Sequence, residues 1–311
     1  MLDFTGERFI PTEQGELRYE HMHRYVWSLA LCKGKDVLDI ACGEGYGSAM
    51  LASQARSVVG VDISEAAVEH ASSKYGDVEN VKFVCGSATH IPQGEASADV
   101  VVSFETIEHL AEQSQMLAEL KRVLRPDGVL VISSPNKQVY SDDRNYSNEY
   151  HVKELYFDEF DALLKEQFAF VSYLGQRFAT LSLLAPVDSV SDIYAPLTLT
   201  AGTAVSQTPL LSKPMYFVAV CANRPLDGHK APASAFFDDQ VDLYKDHETV
   251  MKWASKLDRD HKILQGRHLQ LQAEFEERSA WALSLQSESQ RLKSLGGSWN
   301  AFWSGLKSRL R

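Results

Sequence analysis

The chain has 311 residues, 44% of them hydrophobic, which is enough for one substantial core with material left over for an appendage. Its formal charge of −11 argues against a polyanionic partner held by general attraction, so nucleic acid is not expected as substrate or partner. Cys32, Cys42, Cys85 and Cys221 show no metal-ligand spacing, no leader-like segment opens the chain and no apolar run reaches about 18 residues, so a cytoplasmic protein is expected rather than an exported or membrane-spanning one.

Val37 to Ala41 reads as an apolar strand that breaks into Cys42-Gly43-Glu44-Gly45-Tyr46-Gly47 before a helix from Ser48 to Gln54. Only glycine lets a ligand approach backbone without a Cβ clash, and a helix start at the carboxyl end of a sheet offers free N–H groups. That describes a nucleotide-type pocket, although a plain tight turn has the same spacing. The next strand, Ser57 to Asp62, ends in a carboxylate about twenty residues on, where a ribose hydroxyl pair is usually held, so the ligand is expected to carry an adenosine. A nicotinamide dehydrogenase would show a third glycine three residues beyond the second and no acid inside the strand. Here Asp39 precedes the glycines and Gly47 follows Gly45 by two.

Further strands are expected at Val81 to Cys85, Val100 to Phe104 and Val129 to Ser133, the last after a proline turn at Leu124 to Gly128. A helix from Lys153 to Lys165 and two more apolar runs, Phe168 to Tyr173 and Met215 to Cys221, follow. The alternation predicts an α/β fold with a doubly wound, mostly parallel sheet. Phe178 to Pro214 reads as an irregular insertion, either shaping an acceptor pocket or lying on the surface.

After the fourth strand, Glu105, Glu108 and His109 stand at i, i+3 and i+4, which would put them on one face of a starting helix that opens on the same crevice. His151 follows the fifth strand. A hydroxyl stays protonated at neutral pH, and a divalent cation held by such groups would lower its pKa and fix its position. Two oxygen and two nitrogen ligands suit Mg²⁺ or Mn²⁺. The same residues also permit a metal-free general base at His109, or carboxylates that merely line a solvated cleft.

The segment from Val37 to Pro135 resembles the class I S-adenosylmethionine-dependent methyltransferases, a Rossmann-like fold with a seven-stranded sheet. The resemblance implies S-adenosylmethionine as cofactor, held by Asp39, Ala41, Gly43, Gly45, Tyr46, Asp62, Ile63, Ser87, Ala88, Phe104 and Arg24. Many relatives carry Asp where Ser87 or Ala88 stands here, which weakens the expected adenine contact. The E-x-x-E-H run with the later H-x-x-E-L is similar to the metal site of small-RNA 2′-O-methyltransferases and ubiquinone-pathway O-methyltransferases, implying Glu105, Glu108, His109 and His151 as catalytic metal ligands. Together with Gly6 to Pro11 and Glu20 to Tyr25, these motifs are also similar to methyltransferases of bacterial surface-polysaccharide clusters, which implies a sugar hydroxyl of a lipid-linked glycan such as an O-antigen as acceptor. On this reading residues 1–33 cover the cofactor, with His21, His23, Arg24 and Tyr25 gating it, holding substrate, or forming a solvated helix face; residues 34–225 are the catalytic domain with an insertion at 178–214.

Val250, Leu257, Leu264, Leu271, Leu285 and Leu292 recur at multiples of seven, so residues 236–295 are expected to form a coiled coil, with homo-oligomerisation as its simplest use. Glu277 to Leu283 resembles a run found in proteins of polysaccharide assembly, implying a glycosyltransferase partner. Residues 298–311 mix aromatics with cations and contain no acid, the make-up of an amphipathic tail lying on the inner face of the plasma membrane, although such a tail could also pack on the coil. The expected function is therefore O-methyl transfer to a glycan. The rival readings are a small-molecule O-methyltransferase and a non-catalytic scaffold working through its coil.

Overall fold

The computed structural model describes residues 10, 15–179, 198–200, 204–206, 211, 213–225, 233–236 and 243–309. Gly6 to Pro11, apart from Ile10, and most of the 178–214 insertion lie outside the described residues. The chain divides into two compact units, Met1–Phe237 and Asp238–Arg311.

The first unit runs α1 (Glu16–Cys32), β1 (Asp36–Ile40), α2 (Tyr46–Ala52), β2 (Ser57–Asp62), α3 (Glu65–Tyr75), β3 (Val81–Cys85), β4 (Ala98–Ser103), α4 (Gln113–Val123), β5 (Leu124–Pro135), α5 (Phe157–Gln167), β6 (Phe170–Gln176), the hairpin strands β7 (Thr198–Thr200) and β8 (Ala204–Ser206), and β9 (Tyr216–Ala222). Seven strands form one sheet in the order β3-β2-β1-β4-β5-β9-β6. β1 to β5 are parallel, and β9 runs antiparallel between β5 and β6. The strand order reverses between β1 and β4, and at such a switch point a crevice opens beyond the carboxyl ends of the strands.

The central strands are covered on both faces, so they are apolar throughout rather than alternating with polar residues. Alternation still sorts the side chains: Leu38, Ile40, Val101, Leu130 and Ile132 pack with Leu117, Leu120 and Phe160, while Val37, Val100, Val102, Val131 and Val218 pack with Tyr25, Leu51 and Phe104. Asp39 shares the second face and is fully buried there.

The expected doubly wound seven-stranded sheet is present, with several boundaries moved. β5 begins at Leu124, so the proline turn is absorbed into the strand as a register irregularity opposite Ala98 and Val100. The helix expected from Lys153 begins only at Phe157, where the Glu159 carboxylate accepts from the Tyr156 N–H at 3.0 Å. The insertion is not wholly irregular, since β7 and β8 pair antiparallel.

The second unit is α6, one helix from Leu243 to Arg309. At 1.5 Å per residue it is about 100 Å long. The helix runs without interruption through Gly296, Gly297 and Gly305, across the boundary between the expected coil and the expected tail. Its first described residue is Leu243. Phe236 instead belongs to the first unit, stacked on His23 at 5.5 Å and edge-on to Tyr19 at 6.2 Å. No helix among the described residues is long and apolar enough to cross a membrane.

Candidate active site

The crevice at the switch point encloses about 260 Å³, and of the expected cofactor residues Ala41, Gly43, Tyr46, Asp62, Ile63, Ser87, Ala88 and Phe104 line it. Its floor is the turn after β1, where Ala41, Gly43 and Gly45 take φ of +60°, +56° and +91°. Left-handed backbone at a non-glycine such as Ala41 persists only where surrounding structure enforces it, and such residues cluster at ligand sites. Gly43 N–H donates to one Asp62 oxygen at 2.9 Å and Ser64 N–H to the other at 2.9 Å, which fixes the carboxylate at the mouth of β2. A ribose diol fits an acceptor held in this way.

Asp39 and Gly45 were also expected at the cofactor, but neither is among the residues that line the crevice. Asp39 accepts from Ser48 Oγ at 2.6 Å and from Tyr25 Oη at 3.2 Å, tying α1 and α2 to β1. Burial, which the Ser48 and Tyr25 hydrogen bonds only partly offset, pushes its carboxyl up to about 7. A Cβ on Gly45 would lie 2.7 Å from Ala71 and 2.9 Å from the Phe83 ring, so this glycine serves helix packing. Glu44, between the two glycines, is buried and accepts from His70, Lys74 and Tyr75 of α3. Sequence reasoning assigned it no role, because nothing local indicates which partners a distant helix will bring.

Arg24 also departs from its expected cofactor role. It is buried just behind the crevice lining, its Nε donating to Gln176 at 2.6 Å, its guanidinium 3.4 Å from Glu105 and 4.5 Å from the Tyr216 ring centre, two residues that line the crevice. Burial works against its charge, but Glu105, Tyr216 and Glu20 outweigh that and hold its pKa above the usual value. Arg24 thus clamps α1 to the sheet, which positions Leu17, His21 and Tyr25 on the crevice. His23 turns away from this position, bonded to Ser234 at 2.7 Å.

Beyond β4 the backbone does not enter a regular helix. Glu105 has φ +49°, and Ile107–His109 is a single 3-10 turn. Glu105 is pinned by Ser133, whose Oγ accepts from Glu105 N–H at 2.9 Å and donates to its carboxylate at 2.6 Å. It faces Arg24 and Ser133, and the ligand cluster is instead formed by Glu108, His109 and His151, whose donor atoms lie within 4.8 Å of one another. Glu105, the fourth residue of the expected set, lines the same crevice but lies outside this cluster.

The Glu108 carboxylate is fully buried and neither oxygen has a hydrogen-bond partner. Burial, reinforced by nearby Glu105, raises its pKa well above the usual carboxylate range. An unpartnered buried carboxyl costs free energy and implies either a proton or a cation. The histidines are oriented from behind. His109 Nδ1 donates to the Tyr150 carbonyl at 2.9 Å, and His151 Nδ1 pairs with Glu154 at 2.6 Å, its ring stacked on Tyr140 at 5.3 Å. A carboxylate behind an imidazole fixes its tautomer and raises its basicity as a ligand. The donor set thus fits a divalent cation, with oxygen and imidazole ligands and room for water or an acceptor hydroxyl. Tyr140, Asn148 and Tyr216 also line this end and were not foreseen; the π-helical turn Gln138–Asp142 that presents Tyr140 has no local sequence signature.

Residues 38–132 match the family described as a methyltransferase domain. A protein of Mycolicibacterium smegmatis named a probable S-adenosylmethionine-dependent methyltransferase is 41% identical over 167 residues, covering 53% of this chain and 64% of its own length. A protein of Mycobacterium tuberculosis with the same description is 40% identical, covering 53% and 60%. An O-methyltransferase of Penicillium expansum is 36% identical over 109 residues, covering 34% and 40%. Each match spans less than two thirds of the relative's length. The strand order and these matches agree: the matched part of the chain, residues 38–132, is similar to S-adenosylmethionine-dependent methyltransferase domains. S-adenosylmethionine is the cofactor that this similarity assigns.

Proposed function

We propose that this chain is an S-adenosylmethionine-dependent O-methyltransferase whose acceptor hydroxyl sits against Glu108, His109 and His151. The buried, unpartnered Glu108 carboxylate beside two oriented imidazoles, on the same crevice as the cofactor turn, carries this reading. When bound there, a divalent cation supplies a lowered hydroxyl pKa and a fixed oxygen position. The chain's own contribution is placement: Asp62 holds the ribose, the turn after β1 supports the cofactor, and Tyr25 and His21 close over it. Transfer forms the O–CH₃ bond and breaks the sulfonium S–CH₃ bond, leaving a neutral thioether and releasing the hydroxyl proton. In a metal-free version of the site, His109 takes that proton.

The acceptor within this reading is a sugar hydroxyl of a lipid-linked glycan, supported by the motif resemblance alone. The name of the fungal relative supports O-methylation and favours a second reading, a small-molecule hydroxyl. Labelled cofactor offered with oligosaccharides, quinols and amines separates these. Transfer to sugars that stops on chelation and in Glu108→Ala, while calorimetric cofactor binding persists, is the expected outcome. Transfer to amines alone, or full activity after exhaustive chelation, overturns the acceptor class or the metal respectively.

A further inference from the structure

The charge pattern of α6 changes abruptly along its length. From Leu243 to Ser289 it carries 8 acids and 7 Lys or Arg, a mixed surface suited to helix pairing. From Gln290 to Arg311 the sequence has Arg291, Lys293, Lys307, Arg309 and Arg311 and no acid, although the whole chain carries −11. A one-sign stretch gains nothing from a second copy of itself, since like charges would face each other.

The apolar residues of this stretch are arranged to match. At about 100° per residue, Leu292, Trp299, Phe302, Trp303 and Leu306 fall within an arc of roughly 100°, with Arg291 and Lys307 at its two borders. Trp299, Phe302 and Trp303 are 61%, 59% and 53% exposed, in edge-to-face contact at 6.2 Å along the helix. The opposite side carries Gly297, Ala301, Ser304, Gly305 and Ser308, and a Cβ added at either glycine would meet nothing within 4 Å. Small residues behind, rings in front and cations at the edges are the composition of a helix lying in a lipid interface, where the rings sit at headgroup depth and cations reach out to lipid phosphates. We infer that the end of α6, from Gln290 onward, docks on an anionic bilayer surface through the Trp299–Phe302–Trp303 face.

This inference is independent of the acceptor chemistry, so its test uses vesicles and no substrate. The full chain should co-sediment with vesicles of phosphatidylcholine containing a minority of phosphatidylglycerol and not with phosphatidylcholine alone. A Lys307→Glu/Arg309→Glu variant should bind at least about tenfold more weakly, since each cation near such a surface contributes about fivefold to affinity. Trp299→Ser/Trp303→Ser should lose binding while keeping circular-dichroism helicity and cofactor affinity, which separates loss of the face from loss of the fold. Equal binding to neutral vesicles, unchanged binding in both variants, or a change of oligomeric state in place of sedimentation would overturn the inference, the last by assigning the face to a protein partner.

Discussion

Asp36 and Asp39 stand three residues apart on β1, at opposite ends of the same strand, and their surroundings drive them in opposite directions. At the amino end, Asp36 receives Arg56 at 2.7 Å, Arg125 at 3.0 Å and Ser57 at 2.8 Å, while Arg125 also holds Asp99 at 2.6 Å. These partners hold Asp36 far below the usual carboxylate range. At the carboxyl end, Asp39 has only hydroxyl partners, and burial lifts it to about 7. Close by, neither carboxylate oxygen of Glu108 has a hydrogen-bond partner among the described residues. One end of the sheet thus pairs its charges among themselves, while at the other two acids, Asp39 and Glu108, are kept out of water with no cation hydrogen-bonded to them among the described residues. Such an arrangement lowers stability, and its persistence marks the end of the molecule where a ligand completes the set.

The largest expected effect comes from closing the cofactor end sterically. A Cβ on Gly47 would lie 2.1 Å from the Tyr25 ring, which is buried and held by Asp39. Gly47→Val should displace Tyr25 and weaken S-adenosylmethionine binding by about 10- to 100-fold, the equivalent of about 1 to 3 kcal/mol of overpacking. Titration calorimetry reads this directly. Wild-type affinity would mean that Tyr25 and α1 do not shape the cofactor site.

Much of the binding end is legible in the sequence, and what is legible is local. The glycine turn, Asp62 and the E-x-x-E-H run are short-range patterns whose chemistry follows from spacing, and the crevice gathers them as expected, with Glu105 on its lining but outside the Glu108, His109 and His151 cluster. Glu105 misleads because its spacing fits a helix, whereas Ser133, a residue on another strand, pins it in a left-handed turn. Arg24 misleads for the same kind of reason: Gln176 and Tyr216, about 150 or more residues away along the chain, decide where it points. The Asp36 network at the amino end has no sequence signature, since four charged residues from separate segments carry no periodic signal. Pairwise contacts across long sequence separations are what a single sequence does not encode locally.

A pH titration of stability sharpens the comparison at intermediate magnitude. Asp39 has a folded pKa of about 7, against about 3.9 for an unfolded aspartate. Between those values the unfolded chain has lost the proton that the folded chain keeps, so wild-type stability falls as pH rises through this window, by at most about 1.4 kcal/mol per unit, and levels off above about 7. Asp39→Asn cannot ionise. Its stability relative to wild type should therefore climb from about pH 4 to about pH 7 in denaturant melts, even though one Ser48 or Tyr25 bond is altered. Parallel curves across that range would mean that Asp39 is ionised in the fold and balanced by a cation the described residues do not supply.

The smallest effect belongs to the paired end and has the opposite sign. Asp36 is held below its unfolded value by Arg56, Ser57 and Arg125, so its contribution is complete above about pH 4 and is lost as pH falls below it. The network is partly solvent-exposed, with Arg56 59% and Arg125 33% exposed, so solvent screening leaves it modest. Asp36→Asn should lower the melting midpoint by a few degrees at most near neutral pH, and the gap to wild type should narrow on acidification and in high salt. Cofactor affinity should not change, because the substitution lies at the end of β1 away from the turn that holds Asp62. If Asp36→Asn weakens cofactor binding instead, β1 transmits strain from one end to the other, and the division of the sheet into a stabilising end and a binding end fails.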